Sequence, residues 1–343
     1  MRYEPAYDGL RAIAVFAVVI FHLAEFLLPG GWVGVEIFFV LSGYLITSIL
    51  IKENESYGSI DFKRFYYFRV LRLAPALIAV LLFVFLVALK SSVHREAHLK
   101  SILAAFFYMT NWHEALGGWP MGLLAHTWSL SVEEQFYFLW PLLFLFFSRG
   151  NLSAWIAATI VLANIWRIYL EYNGAGWARI IRGFDTHCDA LLLGCLLASC
   201  RNLVFEKICA RFVMVPILGL VAFALMPFGS LVASLPFTAI VSGWLVISIG
   251  QSPRLRGFLS MPFLVYTGRI SYGWYLWHFP IWHILDSNFS DARGWSYVLL
   301  NSIILVSSYA MAALSYRFLE KPFLALKKKY PSRRAVLVKV AAT

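Results

Sequence analysis

Apolar segments recur from one end of the chain to the other, and short polar loops separate them. A helix needs about 20 mostly apolar residues to cross the roughly 30 Å hydrocarbon core of a bilayer. Ten candidate spans are 10–28, 32–51, 74–90, 129–147, 152–170, 187–200, 211–228, 232–250, 265–285 and 296–319. A further apolar piece, 101–112, is short and ends in polar residues, so we expect a re-entrant or interfacial helix there. The pattern predicts an all-α integral membrane protein with about ten transmembrane helices.

Composition and charge agree with this interpretation. Only 14% of the residues are charged and 61% are hydrophobic, whereas a soluble domain carries about 25% charged residues. The net charge of +11 does not indicate a nucleic-acid partner, because the positive residues lie in short loops and in a C-terminal tail. The positive-inside rule places these loops and both termini on the cytoplasmic side. We therefore expect a membrane-embedded domain over 1–325, surrounded by lipid, and a basic cytoplasmic tail over 326–343.

Ionisable residues inside the apolar segments are the first candidates for function. Each costs a few kcal/mol to insert and usually faces a bundle interior or a cavity. Arg11 and His22 are eleven residues apart in one predicted helix, which places them on nearly the same face about 16 Å apart. Glu25, three residues further on, is expected on that face, where it could orient the imidazole. A hydrogen-bonded structural His is the alternative, but the aligned Arg favours a functional one.

A pair of arginines, Arg69 and Arg72, precedes the third span in the segment RFYYFRVLRLAPA. Guanidinium groups at a cytoplasmic membrane edge suit phosphates, including those of a nucleotide-bearing cofactor. Anchoring to lipid headgroups is the alternative for the same pair.

Two carboxylates lie within predicted spans. Glu133 enters an apolar helix with Ser129 one turn before it, and Glu36 lies in the second span. A carboxylate in such a position requires a partner or a proton. No metal site is expected, because His94 and His98 are spaced like ligands but lack an evident third ligand.

Seven ordered pieces of the chain, taken together, resemble the acyltransferase-3 family of bacterial membrane O-acyltransferases. They run from about Asp8 to Phe323: YDGLRAIAVFAVVIFHL, GWVGVEIFFVLSGYLITSIL, FYYFRVLRLAPA, HTWSLSVEEQFYFLWPLL, DTHCDALLLGCLLA, GRISYGWYLWHFP and SYRFLEKPF. The resemblance implies a bacterial inner-membrane enzyme that transfers acyl groups, usually acetyl from acetyl-CoA, to hydroxyls of cell-envelope sugars, exported polysaccharides or certain small molecules. Some members carry a C-terminal SGNH-type domain, which we expect to be absent here or supplied by another protein.

The family's motifs coincide with the residues selected above. Its Arg-x10-His motif falls on Arg11 and His22, its Arg-x-x-Arg motif on Arg69 and Arg72, and its helix carboxylate on Glu133. The resemblance thus implies that the three arginines hold acetyl-CoA and that His22 acts as a general base or first takes the acetyl group.

The remaining assignments concern residues around His22 and the acceptor. Glu133 or Glu25 is expected to assist His22. The residues expected to contact a carbohydrate acceptor are Glu36, Ser129, Arg182 and His187, although many members have Arg where this chain has His187.

A glycolipid transporter or flippase is the leading alternative function for the chain, since intramembrane charges also mark translocation routes. A non-catalytic membrane assembly protein is the second. The oligomeric state is not indicated by the sequence.

Overall fold

The computed structural model describes residues 3–90, 95–200, 203–226, 231–289 and 293–331. Throughout these ranges the regular structure is helical. The first half contains α1 (Pro5–Leu23), α2 (Val33–Tyr57), α3 (Phe62–Lys90), α4 (Arg95–Phe106), α5 (Thr110–Ala115), a 3-10 turn (Gly122–Thr127), α6 (Trp128–Phe147), α7 (Leu152–Tyr172), α8 (Trp177–Arg182) and α9 (Phe184–His187). The second half contains α10 (Asp189–Ser199), α11 (Leu203–Arg211), α12 (Met214–Leu225), α13 (Leu231–Ser248), α14 (Pro253–Leu259), α15 (Pro262–Asn288), α16 (Trp295–Ser315), a π turn (Tyr316–Glu320), α17 (Lys321–Leu326) and a 3-10 turn (Lys327–Lys329).

The all-α membrane architecture is confirmed, with fewer full spans than the ten predicted. Within the described ranges, six helices are long and apolar enough to cross a bilayer, or up to eight if each bent pair forms one span. The bent pairs are α11 with α12, at 61°, and α13 with α14, at 99°. The predicted span 187–200 contains only the short helix α10, and 265–285 lies in the long helix α15, which carries polar residues such as Arg269 and His278.

The ends of α1 follow from local chemistry. Pro5 begins the helix, where its fixed φ is suitable and its missing N–H needs no partner, and the Glu4 side chain accepts a hydrogen bond from the Ala6 amide. The helix ends at Leu23. Glu25 therefore lies beyond the helix, and the prediction that it continues the Arg11 and His22 face is wrong.

Helix α1 packs most extensively against α15, and α2 packs most extensively against α10. The contact between α1 and α15 depends on a glycine, because a Cβ added at Gly268 would overlap the backbone oxygen of Asp8. This close crossing brings polar residues of the two helices together.

The apolar piece 101–112 does not form a crossing helix. It is divided between α4 and α5, and Tyr108 between them has a φ of 54°, which is uncommon for a residue other than glycine. Gln135 of α6 donates a hydrogen bond of 2.7 Å to the Tyr108 carbonyl. This hydrogen bond holds the break between α4 and α5 against α6, the helix that carries Glu133.

Candidate active site

A cavity of about 570 Å³ lies among α1, α2, α3, α6 and α15. This volume is within the range of about 300–1,000 Å³ typical of small-molecule sites. Its cationic lining residues are Arg11, Lys52, Arg64, Arg69, Arg72 and Lys327, and its neutral polar lining residues include Ser42, Ser129, Tyr137 and Tyr275. Ser42 and Lys52 are ten residues apart on α2, hence about 15 Å apart. The cavity therefore has a cationic end at Lys52, and the acidic residues Glu53 and Glu133 also line it.

The two arginines of α3 occupy different environments. Arg69 forms an ion pair with Glu134, with Nη2 to Oε1 at 3.0 Å and Nε to Oε1 at 3.2 Å, and its guanidinium lies over the Tyr137 ring. Arg72 lines the cavity with an exposed side chain. Among the described residues, none forms a hydrogen bond or ion pair with Arg72. Arg72 is thus available to an anion, whereas Arg69 already has a carboxylate partner.

Lys327 is a cavity residue that the sequence reasoning treated only as part of the basic tail. It follows α17 directly, and its Nζ lies 5.5 Å from the centroid of the Phe68 ring. Residues 332–343 of the predicted tail lie outside the described residues. The beginning of the tail therefore contributes a positive charge to the cavity.

Glu133 lines the cavity and is held by two hydroxyls. Ser42 and Tyr137 each donate a hydrogen bond of 2.5 Å to its Oε1. These contacts supply the partners that a carboxylate in an apolar helix requires. No hydrogen bond joins Glu133 to His22 in the described structure, so the expected direct assistance of His22 by Glu133 is not observed.

His22 belongs to a group of three histidines from different segments. Its Nδ1 lies 3.1 Å from Nε2 of His278 on α15. The His126 ring is 5.5 Å from the His278 ring, centroid to centroid, and stacks on Phe279 at 4.8 Å. The sequence reasoning missed His126 and His278, although both occur in the pieces that carry the family resemblance. For His278 the available signal was an ionisable residue inside a predicted apolar span.

Tyr275 and Ser129 lie between the cavity and the histidines. The Tyr275 hydroxyl donates to the His126 carbonyl at 2.5 Å, and it accepts from the Ser129 hydroxyl at 2.6 Å. Both side chains line the cavity, whereas His22 is not among its described lining residues. The expectation that a bound acyl arm runs beside His22 stays a prediction; in this structure Tyr275, whose ring centroid lies 5.6 Å from that of His278, separates part of the cavity from the histidines.

The other predicted helper of His22, Glu25, forms no hydrogen bond or ion pair with it among the described residues. Glu25 is exposed, after the end of α1. Helix α1 thus presents Arg11 to the cavity and His22 to the histidine group, and it ends before Glu25.

The predicted acceptor contacts Glu36 and His187 are paired with each other. His187 Nε2 lies 2.5 Å from Glu36 Oε1, its Nδ1 lies 2.5 Å from the Ile181 carbonyl, and the two side chains are 2% and 1% exposed. Neither offers surface to an acceptor in this structure. Their expected role as acceptor contacts stays a prediction: the two side chains are buried against each other, and Glu36 Oε2 has no hydrogen-bond partner among the described residues.

Arg182, the remaining predicted acceptor residue, pairs with a carboxylate outside the long helices. Its Nη1 lies 2.9 Å from Glu114 Oε2, and its guanidinium lies 5.1 Å from the centroid of the Trp177 ring. Burial raises the pKa of Glu114 to about 7, while the charge of Arg182 acts in the opposite direction. Arg182 is partly exposed and remains accessible, unlike His187.

His94, one of the two histidines weighed as metal ligands, lies outside the described residues. Among the residues that the structure describes, no group of three or more His, Cys, Asp and Glu side chains is placed to hold a metal ion. The group of His22, His126 and His278 therefore gives no indication of a metal centre.

Comparison with known proteins adds evidence independent of the geometry. A family model described as an acyltransferase domain matches residues 4–317. A protein named O-acetyltransferase OatA from Staphylococcus aureus strain MRSA252 is 34% identical over 374 residues, covering 98% of this chain and 61% of that protein. A protein of the same name from strain COL is 34% identical over 349 residues, covering 94% of this chain and 57% of its own length. The chain thus spans well under two thirds of these relatives. No solved structure matches the chain.

Proposed function

The chain belongs to the acyltransferase-3 family, and on that premise we propose that it is a membrane-bound O-acetyltransferase. It transfers acetyl from cytoplasmic acetyl-CoA to a hydroxyl of a cell-surface or exported carbohydrate. The relatives named as O-acetyltransferases support acetyl as the transferred group. The setting proposed is the bacterial inner membrane, with both termini in the cytoplasm and with lipid and the carbohydrate acceptor as partners.

The observation that carries the proposal is the cavity with a cationic end. Six basic side chains line it, and the exposed guanidinium of Arg72 makes no ion pair among the described residues. Phosphates bind guanidinium groups through charge-assisted hydrogen bonds. The cationic end therefore suits the nucleotide phosphates of acetyl-CoA, and the acyl-bearing arm would extend toward Ser129 and Tyr275.

His22 is proposed as the group that moves the proton. Its imidazole accepts the proton of the acceptor hydroxyl, whose oxygen bonds to the thioester carbonyl carbon. The carbon–sulfur bond breaks, and the leaving thiolate receives the proton from His22. The products are the acetyl ester and coenzyme A, and the histidine returns to its initial state.

The Tyr275 and Ser129 side chains, which lie between the cavity and the histidines, must move for this proton transfer to occur. With the acyl arm in the cavity, the Tyr275 and Ser129 pair would separate the thioester carbonyl from His22. A rotation of the Tyr275 side chain, which breaks its hydrogen bonds to Ser129 and the His126 carbonyl, would open the path. Tyr275 is therefore proposed to move when the acyl arm enters.

The bent helix pairs are the feature that favours transport, because broken helices commonly build transporter sites. A translocation route would require these pairs to face the central cavity. None of the described lining residues comes from 203–259, the segment that contains both pairs. The charged cavity is thus built from other helices, which favours transferase over transporter.

The test of this proposal is acetyl-CoA turnover by the purified protein in lipid. We expect radiolabelled acetyl to appear as an ester on an envelope glycan, with one free coenzyme A thiol released for each ester formed. Label on the protein before acceptor is added would indicate that His22 first takes the acetyl group. Movement of a lipid-linked sugar without acetyl-CoA consumption would establish the transporter instead, and neither activity would favour an assembly protein.

A further inference from the structure

We propose that His278 is a positioning residue that fixes the tautomer of His22, so that Nε2 of His22 is the nitrogen that takes the proton. This inference rests on the proposed function of His22. It assigns a task to a residue that the sequence reasoning did not select, and it follows from two hydrogen bonds and from burial.

The first step concerns which nitrogen of His278 carries the hydrogen. His278 Nδ1 lies 3.1 Å from the carbonyl oxygen of Trp274, one turn earlier on α15. A carbonyl oxygen can only accept, so Nδ1 must be the protonated nitrogen. In a neutral imidazole the other nitrogen is then an acceptor. His278 therefore presents the lone pair of Nε2 to its neighbour.

The second step transfers this assignment to His22. Its Nδ1 lies 3.1 Å from Nε2 of His278, and since that atom accepts, Nδ1 of His22 must donate. A neutral His22 with a proton on Nδ1 has its lone pair on Nε2. The hydrogen bond made by one ring nitrogen thus determines which nitrogen can act as a base.

His22 and His278 differ in how deeply their rings are buried, and this difference assigns them different roles. His278 is fully buried, and both of its nitrogens are engaged, so it has no free atom for substrate. His22 is only partly buried, and its Nε2 is absent from the fully buried, unpartnered polar atoms of the described structure. Phe21 and Phe279 approach the His22 ring from the sides. Nε2 of His22 is the open position of the pair.

The test combines a spectroscopic readout with activity. The variant His278→Leu removes the acceptor at similar size, and His278→Gln restores an acceptor oxygen near the position of Nε2. His283→Leu is the matched control, because His283 lies on the same helix and contacts only Ser287 by hydrogen bonding among the described residues. Nitrogen-15 NMR of histidine-labelled protein in lipid distinguishes protonated from unprotonated ring nitrogens, and the His22 signals are assigned by difference from His22→Gln.

In the parent protein and in His283→Leu we expect His22 to be protonated at Nδ1 and unprotonated at Nε2. In His278→Leu the Nε2–H form should appear, with acetyl transfer reduced on the order of 10- to 100-fold, by analogy with the loss of a partner that orients a metal-binding histidine. His278→Gln should restore part of the Nδ1–H form of His22 and part of the acetyl transfer. Unchanged tautomer in His278→Leu would overturn the inference, because the Val18 carbonyl would then fix the ring. Full activity in His22→Gln would instead overturn the proposed function.

Discussion

At the scale of single residues, the cavity distinguishes two arginines that look equivalent in sequence. Arg69 neutralises Glu134, and both side chains are more than four-fifths buried. Arg72, one helical turn later, directs its charge into the cavity. The sequence motif predicts both at the donor site, and both line the cavity, but only Arg69 has a carboxylate partner among the described residues.

We expect Arg72→Lys to raise the KM for acetyl-CoA about 10-fold, because an ammonium keeps the charge and loses the bidentate geometry. The KM for acceptor should change little. Arg69→Ala should instead lower the melting temperature, since the loss of one partner of a buried pair costs about 3 kcal/mol or more. Initial rates at varied acetyl-CoA, with thermal unfolding in detergent, separate the two effects. An unchanged KM for acetyl-CoA in both Arg72→Lys and Arg72→Ala would contradict donor binding by Arg72 and would favour its alternative role, the anchoring of the protein to lipid headgroups.

The sequence was sufficient for part of this site. Arg11, Arg72 and Glu133 were selected as charges in or beside apolar helices, and all of them line the cavity. The His22–His278 contact joins residues 256 positions apart, and no local pattern reports such a pairing. The burial of Glu36 against His187 was likewise not predictable from spacing, because it depends on how α2 packs beside the α9 turn.

At the scale of helices, the packing of α2 on α10 determines where Ser42 lies, and Ser42 holds Glu133. Gly43 is at this crossing, and a Cβ there would overlap the carbonyl oxygen of Leu191. Gly43 therefore permits the close packing of α2 on α10.

Gly43→Ala should destabilise the protein by about 1–3 kcal/mol, because α2 and α10 must separate. It should also lower acetyl transfer by displacing Ser42 from Glu133. Gly257→Ala is the matched control, since Gly257 lies in helix α14 and has open space around its Cβ position. Thermal unfolding and membrane abundance are measured for both alanine variants and compared with the parent protein. Equal stability of the two alanine variants would refute the close-packing argument.

Hydrophobic patterning located most helices but not their ends or bends. The end of α1 at Leu23 removed Glu25 from the face of His22, and this end depends on the following turn rather than on hydrophobicity. The bends between α11 and α12 and between α13 and α14 fall inside or beside apolar segments, where a hydropathy count alone cannot distinguish one long span from two angled helices.

At the scale of the whole molecule, the account requires two accessible sides. Under the proposed function, the cationic cavity would receive the donor from the cytoplasm, and the histidine group would receive a hydroxyl from the opposite side. The C-terminal segment contributes a positive charge to this cavity, since Lys327 lines it. Under the proposed function, such a protein would carry an acetyl group across the membrane without moving coenzyme A.

The most direct measurement uses protein reconstituted in one orientation in sealed vesicles, with radiolabelled acetyl-CoA on the cytoplasmic side and the glycan acceptor on the other. The account predicts labelled glycan with the parent protein and with His283→Leu. With His22→Ala it predicts a loss on the order of 100-fold or more, because general acid–base catalysis contributes about that much, at near-normal abundance and melting temperature. Labelled glycan at the parent level from well-folded His22→Ala would contradict the account.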